Sequence, residues 1–476
     1  MVNQQSINLF HKAAKELPAY KAFLAAQKFD PASVTSAASF ANIPPTSKKS
    51  YLLNNQLDKL VWPEDLNNLL LFCATSGSTG EPYYFPRNEK LSWQYSQLIE
   101  EFIKQSSYGA GRTLVLIGFG MGVWIGGVIT LRAFEIAAER LKQPIAILPT
   151  GYNKTEIFKA LRRVAPEFDQ TIIVGYPPFI KELVDEAPSE SINLSKLNIR
   201  FLCAAEAFTE TFRNYICEQA GIKKPLIDTM NIYGTADIGA MAYETPLSIL
   251  VRRLALEDPL LYRDLFGQIE KTPTLAQYNP KFIQFEAVDN EILLTGDGAL
   301  PLIRYAVGDH GDVFNYNRAL KLLAQYGISL EAEITKARIE PFINRQLPFV
   351  YVYERVDLSV TLHGIIIYPE FVKEALLQPV MVGSFTERFT MATKTDIHHT
   401  QFLQVNIELQ KDVEPSEALQ KLALKQVRAT MIQKSSEFAE VSKSHKGADL
   451  IKIILWPNGH PRYFAPGTKQ KWVEKQ

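Results

Sequence analysis

Cysteine is scarce in this chain, with three in 476 residues, and none of the three pairs up in sequence. Cys73, Cys203 and Cys217 lie in apolar surroundings with neither a CxxC pair nor the spacing of a secreted disulfide scaffold. They read as buried thiols in a reducing compartment, so a cytoplasmic location is expected. Net charge is missing too: Lys+Arg and Asp+Glu stand at 51 each. Without a net field, nothing draws the chain to nucleic acid or an anionic membrane, and the expected partners are small molecules. No uninterrupted apolar span is present either. The most apolar stretch, Thr113 to Leu131, is broken by Gly118, Gly120, Gly122, Gly126 and Gly127, which fits a buried strand and loop better than a membrane helix. Residues 1–17 place Leu9, Phe10, Ala13, Ala14 and Leu17 at helical spacing and lack a signal-peptide core. No repeat or low-complexity segment is visible, and no Cys/His constellation could hold zinc. His398 and His399 adjoin on an expected loop and His310 stands apart from them, neither arrangement having metal-ligand spacing.

What is present is a two-part texture. The length exceeds what one hydrophobic core usually supports, so at least two domains are expected. Through the first three hundred residues short apolar runs alternate with helical patterns. The expected strands are Leu69 to Ala74, Thr113 to Gly118, Ile145 to Pro149, Thr171 to Val174, Ile199 to Ala204 and Leu226 to Ile232. The expected helices are Asn88 to Gln105, Val128 to Leu141, Lys154 to Val164, Pro178 to Glu186 and Thr209 to Ala220. Such alternation predicts an α/β layered domain with largely parallel sheets. Past Asn290 the pieces turn β-like, at Glu291 to Thr295, Ala332 to Ile339 and Phe349 to Arg355, as a β-subdomain would. After Asp357 strand-like Ile365 to Tyr368, Phe402 to Leu409 and Ile451 to Trp456 interleave with helical Pro369 to Leu377 and Pro415 to Ser435, predicting a small α+β domain.

Three stretches carry chemistry. Thr75-Ser76-Gly77-Ser78-Thr79-Gly80-Glu81-Pro82 directly follows an apolar run; its glycines permit close backbone approach, and its amides and hydroxyls can cradle phosphate oxygens. It lacks the lysine of a P-loop. Read alone, it is equally a flexible surface turn. Tyr233-Gly234-Thr235-Ala236-Asp237 puts a ring, a hydroxyl and a carboxylate at an expected strand end, where they could stack a base and hold Mg²⁺, or simply make a turn. Arg304 to Asp309 ends in a Gly-Asp pair whose carboxylate can accept from both hydroxyls of a ribose; a salt bridge between Arg304 and Asp309 is the plainer reading.

In order and spacing the three together resemble the ANL superfamily of adenylate-forming enzymes, most closely its phenylacetate-CoA ligase-like branch. The opening Pro18-Ala19-Tyr20-Lys21 and Ile43 to Lys48 are similar to that branch, and matching motifs run through nearly the whole chain. Glu354-Arg355-Val356-Asp357 and His363-Gly364-Ile365 resemble its hinge and the segment after it, and Gly467 to Val473 the segment bearing its catalytic lysine.

The resemblance implies a large N-terminal adenylation domain, 1–354, and a small mobile C-terminal lid, 355–476, hinged near Asp357. It implies ATP-dependent activation of an aryl or medium-chain carboxylic acid and transfer to coenzyme A, with ATP, Mg²⁺ and coenzyme A as the expected cofactors. Thr75, Ser76, Gly77, Ser78, Thr79 and Gly80 would hold phosphates. Tyr233, Gly234 and Glu206 would meet the adenine side, Asp309 and Arg355 the ribose, and Gly364 the thiol's tunnel. Lys469, chosen over Lys471 by aligning the final Val, would be catalytic with Thr235 and Asp237, Asp237 also holding the metal. Met121, Trp124, Tyr176 and Pro177 would line the acid pocket, though all four could equally be core residues, and Glu206 could equally cap the following helix. The sequence departs from the branch at Asp237, where a Glu is usual, and at Glu354 and Leu358 in the hinge. Tyr83 stands where most of the superfamily carry a lysine after the loop, as expected of the branch, which often lacks that lysine. An amine or carrier-protein thiol as acceptor, and a catalytically idle nucleotide-binding module, are the rival readings. Self-association into a homodimer stays open.

Overall fold

A computed structural model describes every residue except 1, 69, 75–82, 122–124, 152, 206, 268–271, 341–345, 354–359, 363–364, 396–400, 436–437, 440–441, 443–449, 466–471 and 474–476. The chain divides into two compact units, the first covering most of Met1–Tyr353 and the second Glu354–Gln476 with two short segments from earlier in the chain.

In chain order the strands of the first unit are β1 (Thr46–Ser47), β2 (Leu71–Ala74), β3 (Tyr84–Arg87), β4 (Thr113–Ile117), β5 (Ile145–Leu148), β6 (Gln170–Gly175), β7 (Ile199–Ala204), β8 (Thr229–Thr235), β9 (Gly239–Tyr243), β10 (Thr274–Gln277), β11 (Ile283–Val288), β12 (Glu291–Gly296), β13 (Leu302–Phe314) and β14 (Phe349–Tyr353). All but β2 and β3 join one sheet, ordered β11-β12-β13-β14-β10-β9-β8-β7-β6-β4-β5, with β1 added against β13. Its two halves differ in kind. From β5 to β8 every neighbour is parallel, and from β8 to β11 every neighbour is antiparallel. Helices cover the parallel strands, so that β4 and all of β6 are buried, the polar Gln170 and Thr171 at the start of β6 included. The helices Glu89–Lys104 and Ile125–Leu141 pack Ile99, Phe102, Phe134 and Ala137 onto Val115, Ile172 and Val174. Each such buried apolar side chain contributes about 1.5–3 kcal/mol.

The N-terminal segment forms a helix, Gln4–Glu16, because Asn3 accepts from the Ser6 amide as its cap and Phe10, Ala13 and Ala14 share a buried face. That face packs into a core with Phe285, Leu294, Leu302 and Tyr305. The first unit thereby ties the chain's start to the antiparallel half.

The second unit pairs β15 (Val360–Leu362) with β16 (Ile365–Ile367) and forms a sheet of β17 (Phe385–Thr395), β18 (Gln401–Leu409) and β19 (Ile451–Trp456). Helices Pro369–Leu376 and Glu417–Lys434 give Phe371, Val372, Val427 and Met431 to its core.

Two sequence expectations change. Ala332 to Ile339, read as strand-like, lies largely in the helix Leu330–Lys336: Ser329 caps it by accepting from Ala332, Glu331 and Glu333 favour its first turn, and Leu330 and Ile334 bury one face four residues apart. The strand expected from Leu226 begins only at Thr229, because Pro225–Asp228 forms a helical turn with Pro at its first position. Among the described residues no helix is long and apolar enough to cross a membrane, and no group of three or more His, Cys, Asp or Glu side chains could hold a metal.

Candidate active site

Four adjacent parallel strands end at one edge of the sheet, and the candidate residues follow their carboxyl ends. Met121 follows β4, Tyr176 and Pro177 follow β6, the turn Ala236-Asp237 follows β8, and Ala205 follows β7. In open α/β sheets that edge is where ligands bind. The chemistry-bearing loops therefore converge because helical crossovers return each strand in the same direction.

At the end of β8, Tyr233, Gly234 and Thr235 are still in the strand, while Ala236 and Asp237 make the turn into β9. A Cβ at Gly234 would stand 2.6 Å from the Gly239 carbonyl, so the close return of β9 requires glycine there. Tyr233, Thr235 and Asp237 are all half-buried, and the Thr235 hydroxyl accepts from the Asp237 amide at 3.3 Å.

Asp309 reaches this corner from the other half of the sheet. Along β13, Ala306 pairs with Leu293 and His310 with Glu291, so Val307, Gly308 and Asp309 together oppose Ile292 alone. The extra residues bulge out, and Gly308 takes a φ of 81° to allow it. The Tyr233 hydroxyl donates to Asp309 Oδ2 at 2.6 Å, while the Tyr233 ring lies against Phe285 at 6.1 Å between centroids. The salt bridge expected between Arg304 and Asp309 does not form at Arg304: its guanidinium reaches Glu286 at 3.2 Å and donates to the Ile43 carbonyl.

The opening segment belongs to the same place. β1 runs parallel to β13, with Thr46 opposite Tyr305 and Ser47 opposite Ala306, and the Thr46 hydroxyl donates to the Ile303 carbonyl at 2.9 Å. Lys48 follows directly, its Nζ 5.7 Å from the centre of the Tyr83 ring. Burial, and behind it the charge of Asp237, pushes the Tyr83 phenol up to about 12. Tyr83 thus links the chain leaving the Gly-rich stretch to the β8 corner.

Around the expected acid pocket, Tyr176 packs edge-on against Phe119 at 4.9 Å. Met121 is half-buried and Pro177 buried, the latter opening the helix Pro177–Glu186. The start of the helix Ile125–Leu141 closes against them: a Cβ at Gly126 would be 3.2 Å from Phe119 and 3.5 Å from the Tyr176 hydroxyl, and one at Gly127 2.6 Å from Met121 Sδ. A separate cavity of about 40 Å³ between Tyr95, Glu101, Met241 and Tyr243 has room for one or a few waters and is too small for an organic acid.

Thr75, Ser76, Gly77, Ser78, Thr79, Gly80, Trp124, Glu206, Arg355, Gly364 and Lys469 lie outside the described residues, as do Asp357 and Lys471. The strands flanking the Gly-rich stretch, β2 and β3, pair antiparallel from Leu71↔Arg87 to Ala74↔Tyr84. The sequence reading overlooked Arg87, which is 4% exposed and donates to the Ala236 carbonyl. Its only signal in the sequence is position: it is the first cation after a stretch of loop and strand without one, from Leu70 to Pro86.

No family profile and no curated protein matches the sequence. Solved structures do. The chain is similar to 2-hydroxyisobutyryl-CoA ligase in the postadenylation state in complex with R3-HIB-AMP, with a TM-score of 0.66 and 15% identity over 99% of this chain and 88% of that one. The same ligase with 2-HIB-AMP gives 0.66 at 16% identity, covering 99% and 88%. With 2-HIB-AMP and CoA in the thioesterification state it gives 0.54 at 17%, covering 99% and 89%. The chain shares the fold of that ligase.

Proposed function

We propose that the chain uses ATP to convert a carboxylic acid, aryl or of medium chain length, to its acyl-adenylate, and then transfers the acyl group to coenzyme A. The observation that carries this reading is the Tyr233–Asp309 hydrogen bond of 2.6 Å, which unites two of the three motifs at the carboxyl edge of the parallel strands. The solved 2-hydroxyisobutyryl-CoA ligase of the same fold, in complex with R3-HIB-AMP and with 2-HIB-AMP and CoA, supports it.

A carboxylate resists nucleophiles, and joining it to AMP supplies a good leaving group. The acid oxygen attacks the α-phosphorus of ATP, the bond to the β-phosphate oxygen breaks, and pyrophosphate leaves with the electron pair. Negative charge grows on the non-bridging oxygens, so fixed donors and cations aimed there lower the barrier. Thr235 would donate its hydroxyl and Lys469 a point charge. Asp309 would hold the ribose: Oδ2 takes the Tyr233 hydroxyl, and a carboxylate has further lone pairs for sugar hydroxyls. Arg355 would meet the ribose from the other side, Thr75 to Gly80 the phosphates and Glu206 the adenine. Met121, Trp124, Tyr176 and Pro177 would wall the acid. Asp237, half-buried beside the Thr235 hydroxyl, suits Mg²⁺ held by one carboxylate, water and substrate phosphates. Bound there, the ion would neutralise charge on the polyphosphate.

In the second half-reaction the thiolate of coenzyme A attacks the acyl carbon, passing Gly364, and AMP leaves. A domain boundary at 354/355 with a hinge at Asp357 would let the lid exchange Lys469 for the thiol path while keeping water from the adenylate. All three cysteines are buried, in keeping with work in a reducing cytoplasm.

ATP–pyrophosphate exchange across a panel of aryl and acyl acids, at saturating ATP and Mg²⁺, tests the first half-reaction. CoA-dependent decay of the adenylate tests the second. No exchange with any acid would sink the proposal.

A further inference from the structure

A charged side chain sits buried behind the β8 corner, and the reaction as described gives it nothing to do. Arg87 ends β3, opposite Leu71 in the hairpin, and is 4% exposed. Its Nη2 donates to the Ala236 carbonyl, a bond across 149 positions of sequence. On the neighbouring strand the Cys73 sulfur accepts a hydrogen bond from it. Burial pushes the guanidinium below its ordinary value, and Cys73 and the charge of Asp237 push back. Nε has no hydrogen-bond partner among the described residues.

Holding one carbonyl could be done by a neutral donor, and burying a guanidinium is costly unless its charge is used. The charge has a counterpart here. Asp237 belongs to the expected nucleotide site, and from Leu70 to Pro86 the chain offers Glu81 and no Lys or Arg. A carboxylate repels a triphosphate, and a fixed cation behind it offsets that repulsion without entering the site.

We propose that Arg87 is a positioning residue of the nucleotide site, holding the Thr235-Ala236-Asp237 turn in place and balancing the Asp237 carboxylate against the phosphates. This rests on the adenylate-forming reading above. It predicts a loss on the nucleotide and metal side of the reaction and none on the acid side.

The test is ATP–pyrophosphate exchange with R87M, which keeps bulk and removes charge, and R87K, which keeps charge and loses the two-pronged grip. R87M is expected to lower kcat by about 10²-fold and R87K by about tenfold. In both the KM of the acid should stay within about twofold, while the half-saturating Mg²⁺ concentration should move by about threefold or more. Thermal melting checks that each variant is folded, and if R87M is not, R87K alone decides. A folded R87K with exchange within about threefold of the parent, or a loss carried entirely by the acid KM, overturns the proposal. If the parent exchanges no pyrophosphate with any acid, the adenylate-forming reading fails instead. Calorimetric titration of parent and R87K with MgATP then judges Arg87 separately, equal affinity counting against it.

Discussion

Replacing Tyr233 with Phe removes one oxygen and tests whether the two motifs act as a unit. The lost bond is a phenol donating to a carboxylate at 2.6 Å. Hydrogen bonds to charged groups contribute about 1.5–3 kcal/mol, and a half-buried pair belongs at the low end, about 1.5 kcal/mol. If Asp309 holds the ribose and Tyr233 holds Asp309, that loss raises the KM for ATP by about tenfold. The ring stays, so its contact with Phe285 and the fold should persist. Asp309→Ala removes the ribose acceptor itself and should cost more. The decisive measurement is the double variant: with Tyr233 acting through Asp309, Y233F adds almost nothing in the D309A background, giving a coupling about as large as the Y233F effect itself. ATP–pyrophosphate exchange at varied ATP supplies all four KM values. Strictly additive losses, or a Y233F enzyme with unchanged ATP KM, would refute the reasoning.

Lys469→Ala should lower pyrophosphate exchange by about 10²- to 10³-fold, as for loss of one transition-state donor, with Lys471→Ala within a few fold; the reverse order would move the catalytic role to Lys471. Gly127→Ala places a methyl 2.5 Å from the Gly120 carbonyl and 2.6 Å from Met121 Sδ, so it should displace the loop that carries Met121, cost about 1–3 kcal/mol by overpacking and raise the acid KM more than the ATP KM. Equal KM values for parent and G127A would detach that loop from the acid site. In alkali, burial pushes the Tyr95 phenol up to about 12 while the unfolded side chain ionises near 10. The folded state therefore holds that proton more tightly, and the corresponding stability, about 2–3 kcal/mol at full effect, is present below pH 10 and lost as pH rises through about 12. Absorbance at 295 nm should show late phenolate formation coinciding with loss of circular dichroism; all tyrosines titrating near pH 10 in an intact fold would contradict it.

The parallel half of the fold was legible because strands covered on both faces leave an unmistakable trace. Leu114–Ile117 and Ile172–Val174 are wholly apolar. Where polar side chains are buried, that trace fades. β17 carries Thr386, Glu387 and Thr390, all nearly inaccessible, which is why a strand of eleven residues was not evident from its sequence. The helix Leu330–Lys336 was misread because in so short a segment the cap at Ser329 decides what hydrophobic spacing cannot.

The site divides along a similar line. Tyr233 and Asp309 stood out because each sits in a local pattern, although the bond that joins them spans 76 residues and needed the sheet's antiparallel half to form. Arg87 sits in no pattern. Its partners are a carbonyl on a distant turn and a thiol on the neighbouring strand, and a backbone carbonyl leaves no mark in a sequence. Residues that touch substrate tend to carry recognisable chemistry in their neighbours, whereas a residue that holds such a group from behind is defined only by what folding brings against it. A buried, unexplained charge next to a recognised motif is therefore the feature a structure adds to a sequence reading, and here it falls on the one corner that the nucleotide, the metal and the adenylation chemistry would share.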